Sequence, residues 1–216
     1  MDFALARINM VKSQVAPIPV QSSLLLESLG DVPRELFVEE TWRPFAYADM
    51  NLPLSGEGRS LLKPLLLARL IEALQVEPQS RVLVVGGGGG YEAAVLARMG
   101  AEVFVLESDA ALAAQGEQRV GAGKAQWRVG DLALGWPEVS PFDAILLCGA
   151  LTTPPNKLIG QLGRQGRLVT VMGQPGDAVM RAVRMVGISG GDRPDHLFET
   201  TAPLLPGMEG ANRFVL

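Results

Sequence analysis

From residue 80 onward the chain alternates between two hydrophobic periodicities. Short runs of consecutive apolar residues end on glycine or an acidic residue, and each gives way to a stretch whose apolar positions recur every three or four residues. The first pattern predicts buried strands and the second amphipathic helices. Residues 82–85 read as a strand, 91–99 as a helix, 101–106 as a strand ending on Glu107, and 110–120 as a helix. A strand over 125–129 ends at Gly130-Asp131, and a strand over 143–148, a helix over 156–163 and a strand over 167–172 follow. Strands separated by helices of this length pair in parallel through right-handed crossovers, which predicts an α/β fold with a doubly wound, mostly parallel sheet. Residues 178–216 read as antiparallel edge strands around a Gly-rich turn at 187–192.

Upstream the pattern is helical and then irregular. Residues 2–15 set Phe3, Ala6, Met10 and Gln14 near one helical face before Pro17 and Pro19 stop the element, and residues 22–29 keep helical spacing up to Gly30. Asp31 is positioned to cap a short helix with Pro33 in its first turn. Residues 42–53 read as an ordered loop in which Tyr47, Asp49 and Asn51 either line a pocket or belong to ordinary packing. A glycine-bearing turn at 55–60 leads to an apolar helix over 64–74 that Pro64 opens. The expected organisation is N-terminal helices and a covering loop, residues 1–80, packed on a Rossmann-like main domain, residues 81–216.

Composition narrows the function classes. With 216 residues and 48% hydrophobic content the chain can bury one sizeable core. A net charge of −4 provides no basic stripe, so nucleic acid is not an expected partner. One cysteine, Cys148, and one histidine, His196, are too few for a disulfide framework or a structural zinc site, and a reducing, cytoplasmic setting is expected. The lack of a signal-peptide pattern and of an 18-residue apolar span predicts a soluble protein without a membrane partner. Oligomeric state has no signal in the sequence.

The candidate chemistry lies in Arg81-Val-Leu-Val-Val-Gly-Gly-Gly-Gly-Gly-Tyr-Glu-Ala-Ala-Val-Leu-Ala97, a strand that strikes five glycines and emerges as a helix. Each glycine costs roughly 0.5–1 kcal/mol relative to alanine in a regular element, so a bare backbone implies a use for it. That use is close approach of a cofactor to main-chain N–H groups and the positive end of a helix. In doubly wound sheets ligands bind beyond the carboxyl ends of the strands, where Gly86, Gly88, Gly90, Glu107, Gly130 and Asp131 fall. A dinucleotide can use Gly88, Gly90 and Ala93 as G-x-G-x-x-A with Glu107 on a ribose, although the register that starts at the strand's end puts Tyr91 where a third small residue belongs. S-adenosylmethionine can use Gly86, Gly88 and Gly90, with Glu107 on the ribose and Asp131 near the adenine. The three features together favour the methyl donor, with a nicotinamide-dependent oxidoreductase as the weaker alternative.

Over most of its length the chain resembles the protein-L-isoaspartate O-methyltransferase family. The resemblance rests on Val32-Pro-Arg-Glu-Leu-Phe-Val38, Ala46-Tyr-Ala-Asp49 with Leu52-Pro-Leu54, the segment 81–97, Gly130-Asp131, Phe142-Asp-Ala-Ile145, and Gln161-Leu with Gly166-Arg-Leu-Val169. It implies a Rossmann-like methyltransferase that uses S-adenosylmethionine to methylate the carboxylate of isoaspartyl residues in damaged proteins, beginning their repair. Where the family has Gly-x-Gly-Gln-Thr-Ile-Ser-Gln-Pro, with the serine implicated in catalysis, this chain reads Gly56-Glu-Gly-Arg-Ser-Leu-Leu-Lys-Pro64, so Leu62 takes the serine position and Ser60 the threonine position. Val84 replaces the acidic residue that usually precedes the glycine turn.

The expected acceptor is a peptide or protein carboxylate, or a small molecule. A carboxylate with a pKa of about 4 is ionised at neutral pH and needs no general base. Ser60 and Asp49 are the catalytic candidates; Asp49 or Glu57 would be the base for other acceptors. A non-catalytic or regulatory descendant that keeps the fold is the alternative from another class. His196 is expected at the surface, Cys148 in the core, and Trp42, Trp127 and Trp136 in packing.

Overall fold

In a computed structural model that describes residues 1–17, 20–55, 58–187 and 194–208, the predicted alternation builds a seven-stranded sheet with helices around it. Helix α1 (Phe3–Asn9) starts where the Asp2 carboxylate accepts from the Leu5 amide at 3.0 Å, and it continues as a π-helical segment, Met10–Val15. Ser22 caps α2 (Ser23–Asp31) in the same way. Two 3-10 segments, Arg34–Phe37 and Glu40–Phe45, lead to a small antiparallel ribbon of β1 (Leu52–Pro53) and β2 (Ser60–Leu61). Pro64 opens α3 (Pro64–Leu74), as its fixed φ and missing N–H allow at a first helical position.

The sheet and its helices follow as β3 (Arg81–Val85), α4 (Tyr91–Arg98), β4 (Glu102–Glu107), α5 (Ala110–Val120), β5 (Gln126–Val129), β6 (Phe142–Leu151), α6 (Asn156–Ile159), β7 (Leu162–Met172), β8 (Met180–Val186) and β9 (Asp195–Thr200). The strand order is β5-β4-β3-β6-β7-β8-β9. The first five of these are mutually parallel, and β8 and β9 close the edge antiparallel. From β3 the chain steps outward to β4 and β5, then returns to place β6 on the other side of β3. The switch point therefore lies between β3 and β6.

Successive residues of β3 feed opposite faces. Val82 and Val84 join one apolar cluster with α3, α4 and the N-terminal elements, while Leu83 and Val85 join the other with Phe104, Leu106 and Leu147. A strand covered on both faces carries this unbroken apolar run. Leu66, Leu67, Leu70, Ile71 and Leu74 of α3 are buried, and α3 packs across β6, β7 and β8.

Some expected boundaries shift for identifiable reasons. Asp31 ends α2 and pairs with Arg98 at 2.6 Å, so it does not cap the next segment, which has no side-chain cap. The helix expected over 156–163 stops at Ile159, because Leu162 enters β7 opposite Phe142. The irregular loop over 42–53 contains a 3-10 segment and β1. β8 and β9 pair antiparallel as expected, but residues 201–208 add no edge strand, since Leu204 bridges Ala150 of β6 in parallel; the turn beyond Gly187 and residues 209–216 lie outside the described residues. No helix among the described residues is long and apolar enough to cross a membrane.

Candidate cofactor site

β3 delivers residues 86–90 to the switch point. The Gly86 amide donates to the Leu106 carbonyl at 2.9 Å, holding the turn to β4, and the Gly90 amide donates to Gly87 O at 2.9 Å. Gly86 and Gly90 have φ of +73° and +88°, a left-handed conformation that costs glycine little and other L-residues much. At Gly88 a Cβ would lie 2.7 Å from Glu107 Oε2 and at Gly90 2.9 Å from the Gly116 carbonyl. Gly116, in α5, has no room for a Cβ either, since Gly88 O and the Trp127 ring lie against it. The bare backbone lets turn, helix and acid meet.

Glu107 ends β4 with its side chain wholly buried. Its Oε2 accepts from the Gly88 amide at 3.1 Å, and its Oε1 from the Ser108 and Asp109 amides at 2.7 and 3.1 Å. The acid is thus fixed to the turn. Oε1 is also held by a side chain: Arg59 donates to it from Nη2 at 2.9 Å and from Nε at 3.2 Å. Arg59 further donates to Ser108 Oγ at 2.7 Å and to the Pro206 carbonyl at 3.1 Å, which leaves its guanidinium buried.

The turn itself has no open face. All five glycines are buried. A Cβ on Gly86 would lie 2.5 Å from Leu205 Cδ1, and one on Gly89 2.9 Å from Leu54 Cδ1. Leu205 is held by backbone pairing to β6: its amide donates to Ala150 O at 2.9 Å, and the Ala150 amide donates to Pro203 O at 2.7 Å. Two clefts of about 790 and 570 Å³ open elsewhere, neither lined by the turn or Glu107.

The remaining sequence candidates are scattered. Gly130 is tied to the end of β4, its amide donating to Glu107 O at 2.9 Å, and the exposed Asp131 uses its carboxylate locally to cap Leu132–Leu134 through the Ala133 amide at 2.9 Å. Ser60 is half-buried in β2 opposite Pro53, and Asp49 is exposed in a bend. Leu62 is fully buried, and its carbonyl accepts from Arg34 Nη2 at 2.6 Å. Glu57 lies outside the described residues. His196 is exposed in β9 and Cys148 is buried. Trp127 packs on Gly116, Trp136 stands edge-on to Phe104, and Trp42 packs against the larger cluster.

Beside the turn is a buried polar group that the sequence reading did not single out. The Arg34 guanidinium lies 4.9 Å from the Tyr91 ring centroid, with Nε donating to Ala46 O at 2.7 Å. Burial lowers the Arg34 guanidinium, raises the Glu92 carboxyl above its ordinary range and pushes the Tyr91 phenol up to about 12. Burial likewise pushes the Cys148 thiol well up. Val84, in place of an acidic anchor, is an apolar neighbour of Gly87 and Cys148. Among the described residues, no cluster of three or more His, Cys, Asp or Glu is placed to hold a metal.

Arg59 had a legible signal, a charge in the turn where the resembled segment carries glutamine; Leu205 had none. Residues 9–188 match the family model for protein-L-isoaspartate(D-aspartate) O-methyltransferase (PCMT). A protein-L-isoaspartate O-methyltransferase of Methylorubrum populi is 41% identical over 95% of this chain and 98% of its own. Another, protein-L-isoaspartate O-methyltransferase 1 of Rhodopseudomonas palustris, is 39% identical over 97% of this chain and 86% of its own. Among solved structures, a Plasmodium falciparum protein described as a protein-L-isoaspartate O-methyltransferase, in complex with S-adenosyl-L-homocysteine, superposes with a TM-score of 0.75 at 19% identity. It covers 95% of this chain and 98% of its own, a likeness of fold.

Proposed function

The chain belongs to the protein-L-isoaspartate(D-aspartate) O-methyltransferase family, and from that membership we propose that it methylates a carboxylate from S-adenosylmethionine, the acceptor being an isoaspartyl residue of a peptide or protein. The observation that carries the reading is the meeting of a bare five-glycine turn, at the carboxyl end of β3 beside the switch point, with the Glu107 carboxylate at the end of the neighbouring β4, inside the matched span. Cytoplasmic protein repair is the setting that goes with this reading.

The backbone of the site fits such a donor, because glycines at 86, 88 and 90 leave main chain bare beside a fixed acid. The side chains now standing there do not, since Arg59 holds Glu107 Oε1 and Leu205 covers Gly86. When bound, the donor supplies a methyl group already activated on a sulfonium. The chain's own task is to hold and desolvate two reactants, an effect that can lower a barrier by up to roughly 7–11 kcal/mol. An ionised acceptor needs no base. Ser60 is the proposed hydroxyl for orienting the acceptor, Asp49 the proposed polar contact from the covering loop, and Gly130 and Asp131 the proposed adenine side of the site.

Incubation of the full chain with methyl-labelled donor and an isoaspartyl peptide, against the matching aspartyl peptide, tests the reading. Label on the isoaspartyl peptide alone is expected. Donor binding without transfer to it would remove that acceptor.

A second reading, a family fold without the family reaction, is favoured by Leu62, an apolar, fully buried side chain at the family's serine position. On that reading the native chain is inactive on the isoaspartyl peptide. Label transfer by the native chain rejects it.

A further inference from the structure

Two segments distant in sequence close over the glycine turn. From one side, residues 203–208 run past the carboxyl end of β6, pairing Leu204 with Ala150 as a parallel bridge. This pairing sets the Leu205 side chain against two bare positions at once: a Cβ on Gly86 would lie 2.5 Å from it, and one on Gly149 2.9 Å from it. Leu205 is buried with Leu83, Val85 and Leu147. From the other side, Leu54, just after β1, lies on Gly89, and Arg59, just before β2, lies on Glu107. Arg59 joins the two segments, because the same guanidinium that holds Glu107 donates to the carbonyl of Pro206. Pro206 in turn leans on Gly58, where a Cβ would meet its ring at 2.8 Å.

We propose that residues 203–208 form a strap that closes the donor site, with Arg59 as the clasp that ties it to Glu107. The inference rests on the reading that the turn and Glu107 are where an adenosyl donor binds. A donor that lies on bare turn backbone and hydrogen-bonds Glu107 needs the surface that Leu205 covers and the oxygen that Arg59 holds. Both cannot be satisfied together, so entry requires the guanidinium to leave Oε1 and Leu205 to leave Gly86. Release is feasible on physical grounds. Glu107 keeps three backbone N–H donors after Arg59 departs. The strap, for its part, has just two backbone hydrogen bonds to β6.

S-adenosyl-L-homocysteine is the probe, titrated calorimetrically into the full native chain, Arg59→Gln and Leu205→Ala, with hydrogen exchange followed at the Ala150 and Leu205 amides. The native chain is expected to bind weakly and each variant more tightly, Arg59→Gln by about tenfold or more, the scale of one charge-assisted contact. Exchange at both amides is expected to rise when the probe binds the native chain. Binding to the native chain with both amides still protected overturns the strap and leaves the donor reading standing. Faster exchange in a variant with no gain in affinity also overturns it; if such a loosened variant binds no probe at all, the donor reading falls too. Should Arg59→Gln fail to fold, Leu205→Ala and the native exchange measurement decide alone.

Discussion

Glu92 stands in the first turn of α4, where a carboxylate ordinarily gains from the helix dipole. Here burial wins, and the carboxyl is raised above its ordinary 4.5 although Arg34 opposes the shift. A carboxyl raised by folding binds its proton more tightly in the native state, so its contribution to stability is fully present below pH 4.5 and is lost as pH rises through the raised value. Glu92→Gln is therefore expected to match the native chain in acid and exceed it at higher pH, the gap growing by at most about 1.4 kcal/mol per pH unit. Urea denaturation at a series of pH values reads this directly, and parallel curves for the two chains would contradict it. Cys148 obeys the same physics with a simpler readout. Its thiol is buried and pushed up, so a thiol reagent at mildly alkaline pH should leave the folded chain unmodified and label it fully in denaturant.

At the scale of the element, α5 sets two effects against each other. Gly116 lies in its interior, where alanine would favour the helix by about 1 kcal/mol. A Cβ there meets the Gly88 carbonyl and the Trp127 ring, and overpacking of that kind costs about 1–3 kcal/mol. Gly116→Ala is expected to lower the urea midpoint despite its better propensity; a raised midpoint would mean that the turn yields easily. α5 also shows what the sequence discloses. Its bounds were legible because Asp109 caps its start through the Ala111 and Leu112 amides and Gly121 follows its end. The same holds for α3, opened by Pro64. The truncated α6 was not legible, since it depends on Leu162 finding Phe142 across the sheet. The candidate site divides the same way. The glycine turn and Glu107 follow from local pattern and strand ends, whereas Leu205 reaches Gly86 through pairing with β6 that no periodicity encodes.

At the scale of the molecule, the N-terminal elements are held to one another and to the helices that flank the sheet. Glu72 of α3 accepting from the Gln21 and Ser22 amides and Arg34 reaching the Leu62 carbonyl link residues 1–80 internally, while Arg98 of α4 pairs with Asp31 and Arg119 of α5 donates to Phe37 O. Residues 1–80 share one apolar cluster with β3, β6 and β7. Far-UV circular dichroism and tryptophan fluorescence, the latter reporting Trp42 on one side and Trp127 and Trp136 on the other, are expected to give one coincident urea transition. Two separated midpoints would show the N-terminal elements unfolding on their own. The strap has a kinetic consequence as well. A segment of the chain that covers the same surface as a ligand is a competitive inhibitor built into the enzyme, present at a concentration that dilution cannot change. Such an inhibitor reduces apparent affinity by the fraction of molecules that are open, and saturating donor overcomes it. Leu205→Ala should accordingly lower the KM for donor by about the factor by which it opens the site, and leave kcat where it was.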